Sequence, residues 1–293
     1  LPRITRDDLT DTLKALPTPR EQPTYLHPEQ LKKLLQAAQR HDVATFVATR
    51  KEHEGDGVPG TTRRYEPIAE FTTFLLLTGC RRGEALALKW SDVHLDAVDH
   101  DGQKVGEIRL RADATKTKQA RTIGLEVSPA LRALLATMKL RAGEARYVFH
   151  WHDAESKERP YTAEQVEAAR ARLIAPVTDK PRSTKRKRAT SADAEAPSGF
   201  GAPQFDWQTL RSTCATYLTN APGIFGNATA FLSAKQLGHS INVAERHYLG
   251  VHRGNPREAR TLEDAIQIAD ALEAVSTRPR GLTITPLEGK VSR

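Results

Sequence analysis

The chain has 293 residues, 39% of them apolar and 27% charged, with a formal net charge of +8. That apolar share supplies a core and excludes wholesale disorder, while two cysteines, Cys80 and Cys214, are too few to frame a secreted disulfide domain. The longest run of large apolar residues, Phe74-Leu75-Leu76-Leu77, is far short of a membrane span or a signal-peptide core; a cytoplasmic protein with free thiols is expected.

The predicted elements run as follows. Residues 1–23, with Pro2, Pro17, Pro19 and Pro23, read as a linker. A helix starts at Pro28, suited to the first helical position, and carries an apolar stripe of Leu31, Leu34, Leu35 and Ala38. The glycine-rich stretch 51–64 is a loop with no phosphate-loop signature. A helix from Pro67 to a C-terminal Gly79 and another over Arg82 to Trp90 come next. Strands are predicted over Glu107 to Ala112 and Thr122 to Leu125, joined by a polar, basic turn.

Further along, Ser128-Pro129 opens a helix through Met138, and Tyr147-Val148-Phe149 reads as a short buried strand. Thr162 with Gln165 forms a capping box for a helix to about Leu173. Residues 177–203 are poor in large apolar side chains and read as a flexible basic insertion. Helices over Gln208 to Leu218, Ala230 to Leu237, and Thr261 to about Val275 close the chain. The expected fold is mainly α with a small antiparallel β-sheet: a domain over 24–255, then a C-terminal helix and tail over 256–293.

The positive charge is unevenly placed. Lys180, Arg182, Lys185, Arg186, Lys187 and Arg188 carry six charges with no acid between them, and taking six from +8 leaves only +2 for everything else. Net charge therefore does not by itself point to a polyanion partner.

Three patches have a composition that a core does not require. Thr78-Gly79-Cys80-Arg81-Arg82-Gly83-Glu84 ends a helix at a glycine and sets an arginine beside an acid. Gln208-Thr209-Leu210-Arg211 puts two polar side chains one helical turn apart. Leu237-Gly238-His239 is followed nine residues later by Tyr248. Guanidinium forks match phosphate oxygens and stabilise charge that grows on them in a transition state, and a phenolate is a competent covalent nucleophile. This set of groups suits attack on a phosphodiester without a metal.

In these boxes the chain resembles the tyrosine recombinases, or phage integrases, whose catalytic domain carries T-G-x-R-x-G-E, H-x-x-R and L-G-H boxes, a later tyrosine and a hairpin lysine. Here the hairpin reads Thr115-Lys116-Thr117-Lys118 followed by Arg121, and Leu86, Leu88, Trp90 and Asp92 continue the first box. The resemblance extends from about Thr24 to His252. It implies that Arg81 and Arg211 clamp the scissile phosphate, Lys116 protonates the leaving 5′ oxygen, and His239 hydrogen-bonds the phosphate. Tyr248 would form a 3′-phosphotyrosyl bond, and Glu84 would brace an arginine. Lys118, Arg121, Lys185, Arg186, Lys187 and Arg188 are candidate DNA contacts.

The chain departs from that pattern at Gln208, where the family has histidine; glutamine donates a hydrogen bond but does not titrate. The N-terminus departs too: about 23 residues precede Thr24, implying the catalytic part of a longer integrase. The resemblance further implies a phage or mobile-element recombinase without cofactor or metal. It would work on double-stranded DNA as a homotetramer assembled through the C-terminal helix, with DNA-bending accessory proteins. A type IB topoisomerase-like enzyme and a DNA-binding protein without catalysis are the alternatives. Outside the boxes, His150, His152 and Asp153 are expected to be structural, Tyr217 to be core and Cys80 to be filler.

Overall fold

The structure is a computed structural model that describes residues 24–44, 46–47, 62–63, 66–115, 118–152, 157–177, 199–226, 229–238, 256 and 258–276. Its first helix, α1 (Pro28–Val43), begins where the proline signal placed it, with the His27 amide donating to Gln30 Oε1 at 2.9 Å. Leu31, Leu34, Leu35 and Ala38 are buried, as the stripe predicted, and so is His41. Asp42, one residue on, reaches across the fold: its carboxylate accepts from the amides of Ile68 and Ala69 at 2.7 and 3.0 Å. It thereby caps α2 (Ala69–Thr78), whose own N-cap, Ile68, has no side-chain acceptor. A two-stranded pairing of β1 (Phe46–Val47) with β2 (Thr62–Arg63) lies between α1 and α2 in the chain.

Helix α2 is buried on nearly every face and packs against α1 and against α6 (Trp207–Thr219). α6 begins at Asp206, whose carboxylate accepts from the Thr209 amide at 2.5 Å, and within the helix Gln208 is the exposed exception before its last residue. Both helices carry hydroxyls inside the core, and one serves a distant strand of chain: Thr213 Oγ1 accepts from the Leu26 amide at 3.0 Å. Phe71, Phe149, Trp207 and Phe205 stack edge to face around this centre. Tyr217 is fully buried, as expected of a core residue, and burial pushes its phenol well above its ordinary value.

The helix predicted over Arg82 to Trp90 stops early. α3 is Arg82–Leu86, and a 3-10 turn follows over Trp90–Asp92. The backbone between them pairs sideways instead of coiling. Trp90 N donates to Arg146 O at 3.0 Å, Val148 N donates to Leu88 O at 3.1 Å, and Asp92 captures the Lys89 amide at 3.0 Å. The strand expected over Tyr147 to Phe149 is reduced to the Lys89–Tyr147 bridge and isolated backbone bonds; the extended pairing lies just beyond it, between β6 (His150–His152) and β7 (Glu158–Pro160). The small sheet matches expectation: β3 (Val93–His94), β4 (Glu107–Leu110) and β5 (Arg121–Gly124) are antiparallel in that order. Ile108 and Leu110 face the core with Ile123 from the neighbouring strand, the period-two pattern of a half-buried sheet.

α4 (Pro129–Ala142) is capped by Ser128 and α5 (Ala163–Ile174) by Thr162, both as predicted. The chain leaves α5 and re-enters at Gly199, and the two flanks are joined by backbone bonds. Phe200 N donates to Arg172 O at 3.2 Å, Gly201 N to Ala175 O at 2.9 Å, and Ala202 N to Leu173 O at 2.8 Å. Phe200 and Ala202 are buried, so the insertion read as 177–203 does not include this returning segment. α7 (Pro222–Phe225) and α8 (Thr229–Leu237) then lead back to the centre.

At the C-terminus the single predicted helix is two: α9 (Leu262–Ile266) and α10 (Ala269–Ser276), broken where Gln267 takes a left-handed φ of 61°. Leu262, Ile266, Ile268, Leu272 and Val275 are buried in the chain's own core, and Glu263 accepts from the Ala130 amide at the start of α4 at 2.9 Å. The apolar stripe expected to meet a neighbouring subunit is filled by this chain. Among the described residues no helix is long and apolar enough to cross a membrane.

Candidate phosphate-binding active site

The end of α2 organises the site. Thr78 Oγ1 donates to Phe74 O at 2.6 Å and accepts from the Cys80 amide at 3.2 Å, turning the chain sharply after the helix. Gly79 makes the turn at φ 61°, and a Cβ there would lie 2.2 Å from a Leu237 methyl, so α2 and the end of α8 meet with no room for a side chain. The next residues, Cys80 and Arg81, lead into α3. Cys80 and Cys214 are free, buried thiols; burial raises both, Cys214 to about 12, so neither is a nucleophile near neutral pH.

Glu84, 1% exposed, is the carboxylate around which the local arginines gather. It accepts from the Arg81 amide at 2.9 Å and Arg81 Nη1 at 3.1 Å. It also takes both ends of the Arg121 fork, Nη1 at 2.9 Å and Nη2 at 2.8 Å. Burial alone would raise the Glu84 carboxyl, but the Arg121 bonds and charge, with the Arg81 donors, outweigh it and hold the group below the ordinary carboxylate range. Burial works against the Arg121 cation as well, and the Glu84 carboxylate more than offsets it. Arg121 Nε also donates to Gln236 O at 3.2 Å, and a Cβ on Gly238 would lie 2.6 Å from Arg121 Cδ. The start of β5, the N-terminus of α3 and the end of α8 are thus joined by one guanidinium.

Arg211 lies one helical turn beyond Gln208 on α6 and is fully buried. Its Nη1 donates to Gly79 O and its Nη2 to Leu237 O, each at 2.5 Å. Those acceptors follow or end α2 and α8, where helix carbonyls lack partners and the helix dipoles present partial negative charge. The bonds fix the fork between two helix ends, and they tie α6 to the same two ends that Arg121 and Gly79 bring together. Arg81 and Arg121 both bond Glu84, and Arg211 is fixed beside them on two carbonyls, so three guanidinium groups gather at one turn, an arrangement that can receive an anion.

Among the residues selected from sequence, the structure brings together Arg81, Glu84 and Arg121 by direct contact, and Arg211 through Gly79 and Leu237. Gln208 is exposed on the same helix. Arg121, selected as a DNA contact, has its guanidinium engaged by Glu84 and Gln236. Lys118 is exposed at the hairpin turn with a left-handed φ of 55°. Lys116, His239, Tyr248, Lys185, Arg186, Lys187 and Arg188 lie outside the described residues.

Sequence reasoning missed Gln236, whose backbone carbonyl carries no sequence signal, and Asp206, whose cap for α6 was legible in the Asp206-to-Thr209 spacing. His150 Nδ1 lies 2.9 Å from Tyr147 O and its ring stacks edge-on with His152, a structural arrangement. Among the described residues, Asp99, His100 and Asp101 could group around a cation; they lie on the turn between β3 and β4, not among the arginines.

No protein-family model matches the chain, and no curated protein matches it. Solved structures similar to it include the following three. XerH site-specific recombinase bound to difH substrate, a pre-cleavage complex, has TM-score 0.43 and 18% identity over 80% of this chain and 53% of that one. XerH bound to palindromic difH substrate, a post-cleavage complex, has TM-score 0.45 and 17% identity over 83% and 53%. XerA recombinase has TM-score 0.43 and 19% identity over 91% and 68%. The chain spans about half the length of the XerH chains.

Proposed function

We propose that this chain is a tyrosine recombinase that breaks and rejoins double-stranded DNA through a 3′-phosphotyrosyl intermediate. The observation that carries the reading is Arg211: a fully buried guanidinium held by neutral carbonyls at the ends of α2 and α8, beside the turn that presents Arg81. Burying a guanidinium is costly, and packing alone gives a core no reason to do it. A site that must receive a phosphodiester has good reason, because a fixed fork needs no reorganisation when charge grows on the phosphoryl oxygens.

In this reading Tyr248 oxygen attacks phosphorus, the bond to the 5′ oxygen breaks, and Lys116 gives that oxygen its proton. Arg81 and Arg211 hold the non-bridging oxygens, with His239 and Gln208 donating hydrogen bonds to them. The reverse attack by a 5′ hydroxyl on the phosphotyrosine rejoins a strand. One phosphodiester is exchanged for another, so neither ATP nor a metal is called for by the chemistry. Site-specific exchange on paired sites, in a phage or mobile element and aided by DNA-bending proteins, belongs to the same proposal. A tetramer would use surfaces other than the buried stripe of α9 and α10.

The test is a duplex nicked next to the cleavage position, which traps the covalent product. The parent should form a protein–DNA adduct that survives denaturant, and Tyr248→Phe should bind the duplex equally well yet form none. An adduct retained by Tyr248→Phe would overturn the assignment of the nucleophile. The absence of any adduct from the parent, with DNA binding intact, would leave a DNA-binding protein and overturn the enzyme.

A further inference from the structure

A second cationic pocket, sharing no residue with the arginine site, opens where the 3-10 turn after α3 meets the end of α4. Lys89, Trp90, Ser91, Lys139, Ala145 and Arg146 line a space of about 520 Å³. Backbone pairing fixes its walls, since Trp90 N donates to Arg146 O at 3.0 Å and Lys89 bridges to Tyr147. Lys139 Nζ stands 5.2 Å over the Trp90 ring, and the Arg146 guanidinium stands 5.7 Å over the Tyr147 ring.

No acid lines this pocket. Two nearby carboxylates are engaged elsewhere: Asp92 holds the Lys89 amide and Arg111, and Glu158 holds the amides of Arg146 and Tyr147. Among the described residues, Lys89, Lys139 and Arg146 form no ion pair with a carboxylate. Trp90 is 7% exposed, and its indole Nε1–H is buried with no acceptor among the described residues.

We infer that this pocket binds a phosphate group. The lining offers two ammonium groups, a guanidinium and the Ser91 hydroxyl beside the Trp90 ring, a set composed almost wholly of donors. The complementary ligand has several acceptor oxygens, no donors it must satisfy, and more than one negative charge. A phosphate ester or free phosphate has that form, and the guanidinium matches its oxygens in pairs. Lys139 already occupies a face of Trp90, so the pocket is shaped for the phosphate and not for a stacked base. The inference is independent of the strand-transfer reading and stands or falls separately from it.

The chain has three tryptophans, so the indole N–H resonances of a ¹⁵N-labelled sample read the site directly. Trp90→Phe assigns the Trp90 signal, and the Trp207 indole, bonded to Glu167 Oε2 at 3.2 Å, reports that the fold is intact. Inorganic phosphate, titrated at constant ionic strength, should move the Trp90 signal saturably, while chloride and acetate should not. Lys139→Gln with Arg146→Gln should weaken the apparent Kd at least tenfold and leave the Trp207 signal in place. A duplex that moves the same signal and is displaced by phosphate would identify the ligand as a backbone phosphate. A response to phosphate but not to duplex would identify a small phosphorylated molecule. A Trp90 signal indifferent to both probes, or one moved equally by chloride or in the double variant, would overturn the inference.

Discussion

Arg121 and Arg211 are two buried guanidinium groups that reach the same helix end by opposite electrostatic routes. Arg121 is bonded to a buried carboxylate with both ends of its fork, and only its Nε goes to a carbonyl of α8. Arg211 places both Nη groups on carbonyls, which orient a cation without cancelling it. The first arrangement is a structural tie whose charge is largely internal to the protein. The second is a cation positioned by the carbonyls at two helix ends. Residue type is the same in both; the acceptor decides the role.

Substitutions should separate the two. Arg121→Met should have the largest effect on the fold, about 3–5 kcal/mol, because it strands Glu84 as a buried charge with Arg81 alone. Chemical denaturation should register that loss, and the double variant Arg121→Met with Glu84→Gln should recover a substantial part of it. A double variant no more stable than the single one would mean that the pair is not the source.

Arg211→Ala should instead be defined by chemistry. Cleavage of the nicked duplex should fall ~100- to 1000-fold, the scale of losing one preorganised oxyanion donor. Binding to long duplex should weaken much less, since many phosphate contacts share that term. Equal losses in binding and cleavage would make Arg211 an anchor like any other.

Acid sharpens the contrast further. The Glu84 carboxyl titrates lower in the folded chain than in the unfolded one, where a glutamate lies near ~4.3. Its contribution to stability is therefore complete above that range and is lost as pH falls through the folded value. Denaturation midpoints measured downward from pH 5 should fall more steeply for the parent than for the Glu84→Gln, Arg121→Met double variant.

Gln208→His should have the smallest effect. Residue 208 is exposed one turn from Arg211, where either side chain offers a donor to the same anion. Cleavage should stay within a few-fold of the parent, with an unchanged pH profile, when residue 208 only positions phosphate. A faster variant with a new dependence near pH ~6.5 would assign proton transfer to that position.

Much of the scaffold was legible because its signals are local. Pro28, Ser128 and Thr162 start helices by geometry written within four residues, and Gly79 ends one by the same kind of rule. The errors occur where tertiary partners override local preference. Nothing near Leu88 and Trp90 announces that Val148 will pair with the backbone of the first and Arg146 with that of the second and uncoil the helix. The break at Gln267 uses a left-handed conformation that glutamine seldom takes, so no turn residue marked it. Asp42 caps a helix 27 residues away, a bond that periodicity cannot reveal.

The candidate site was legible as composition, since the boxes name Arg81, Glu84 and Arg211, but not as circuitry. Arg121 reads as one more hairpin cation in sequence, and only the fold assigns it to Glu84.

The backbone bonds that join residues 172–175 to 200–202 have a consequence for how this chain can change. They close the core at the base of the insertion, so segments of very different length can depart and return there without altering what lies beneath. Each doubling of such a segment adds only about 0.6 kcal/mol of closure entropy. The joint works as a natural splice point, and a foreign domain or a fluorescent reporter placed there should leave the rest of the molecule to fold as before.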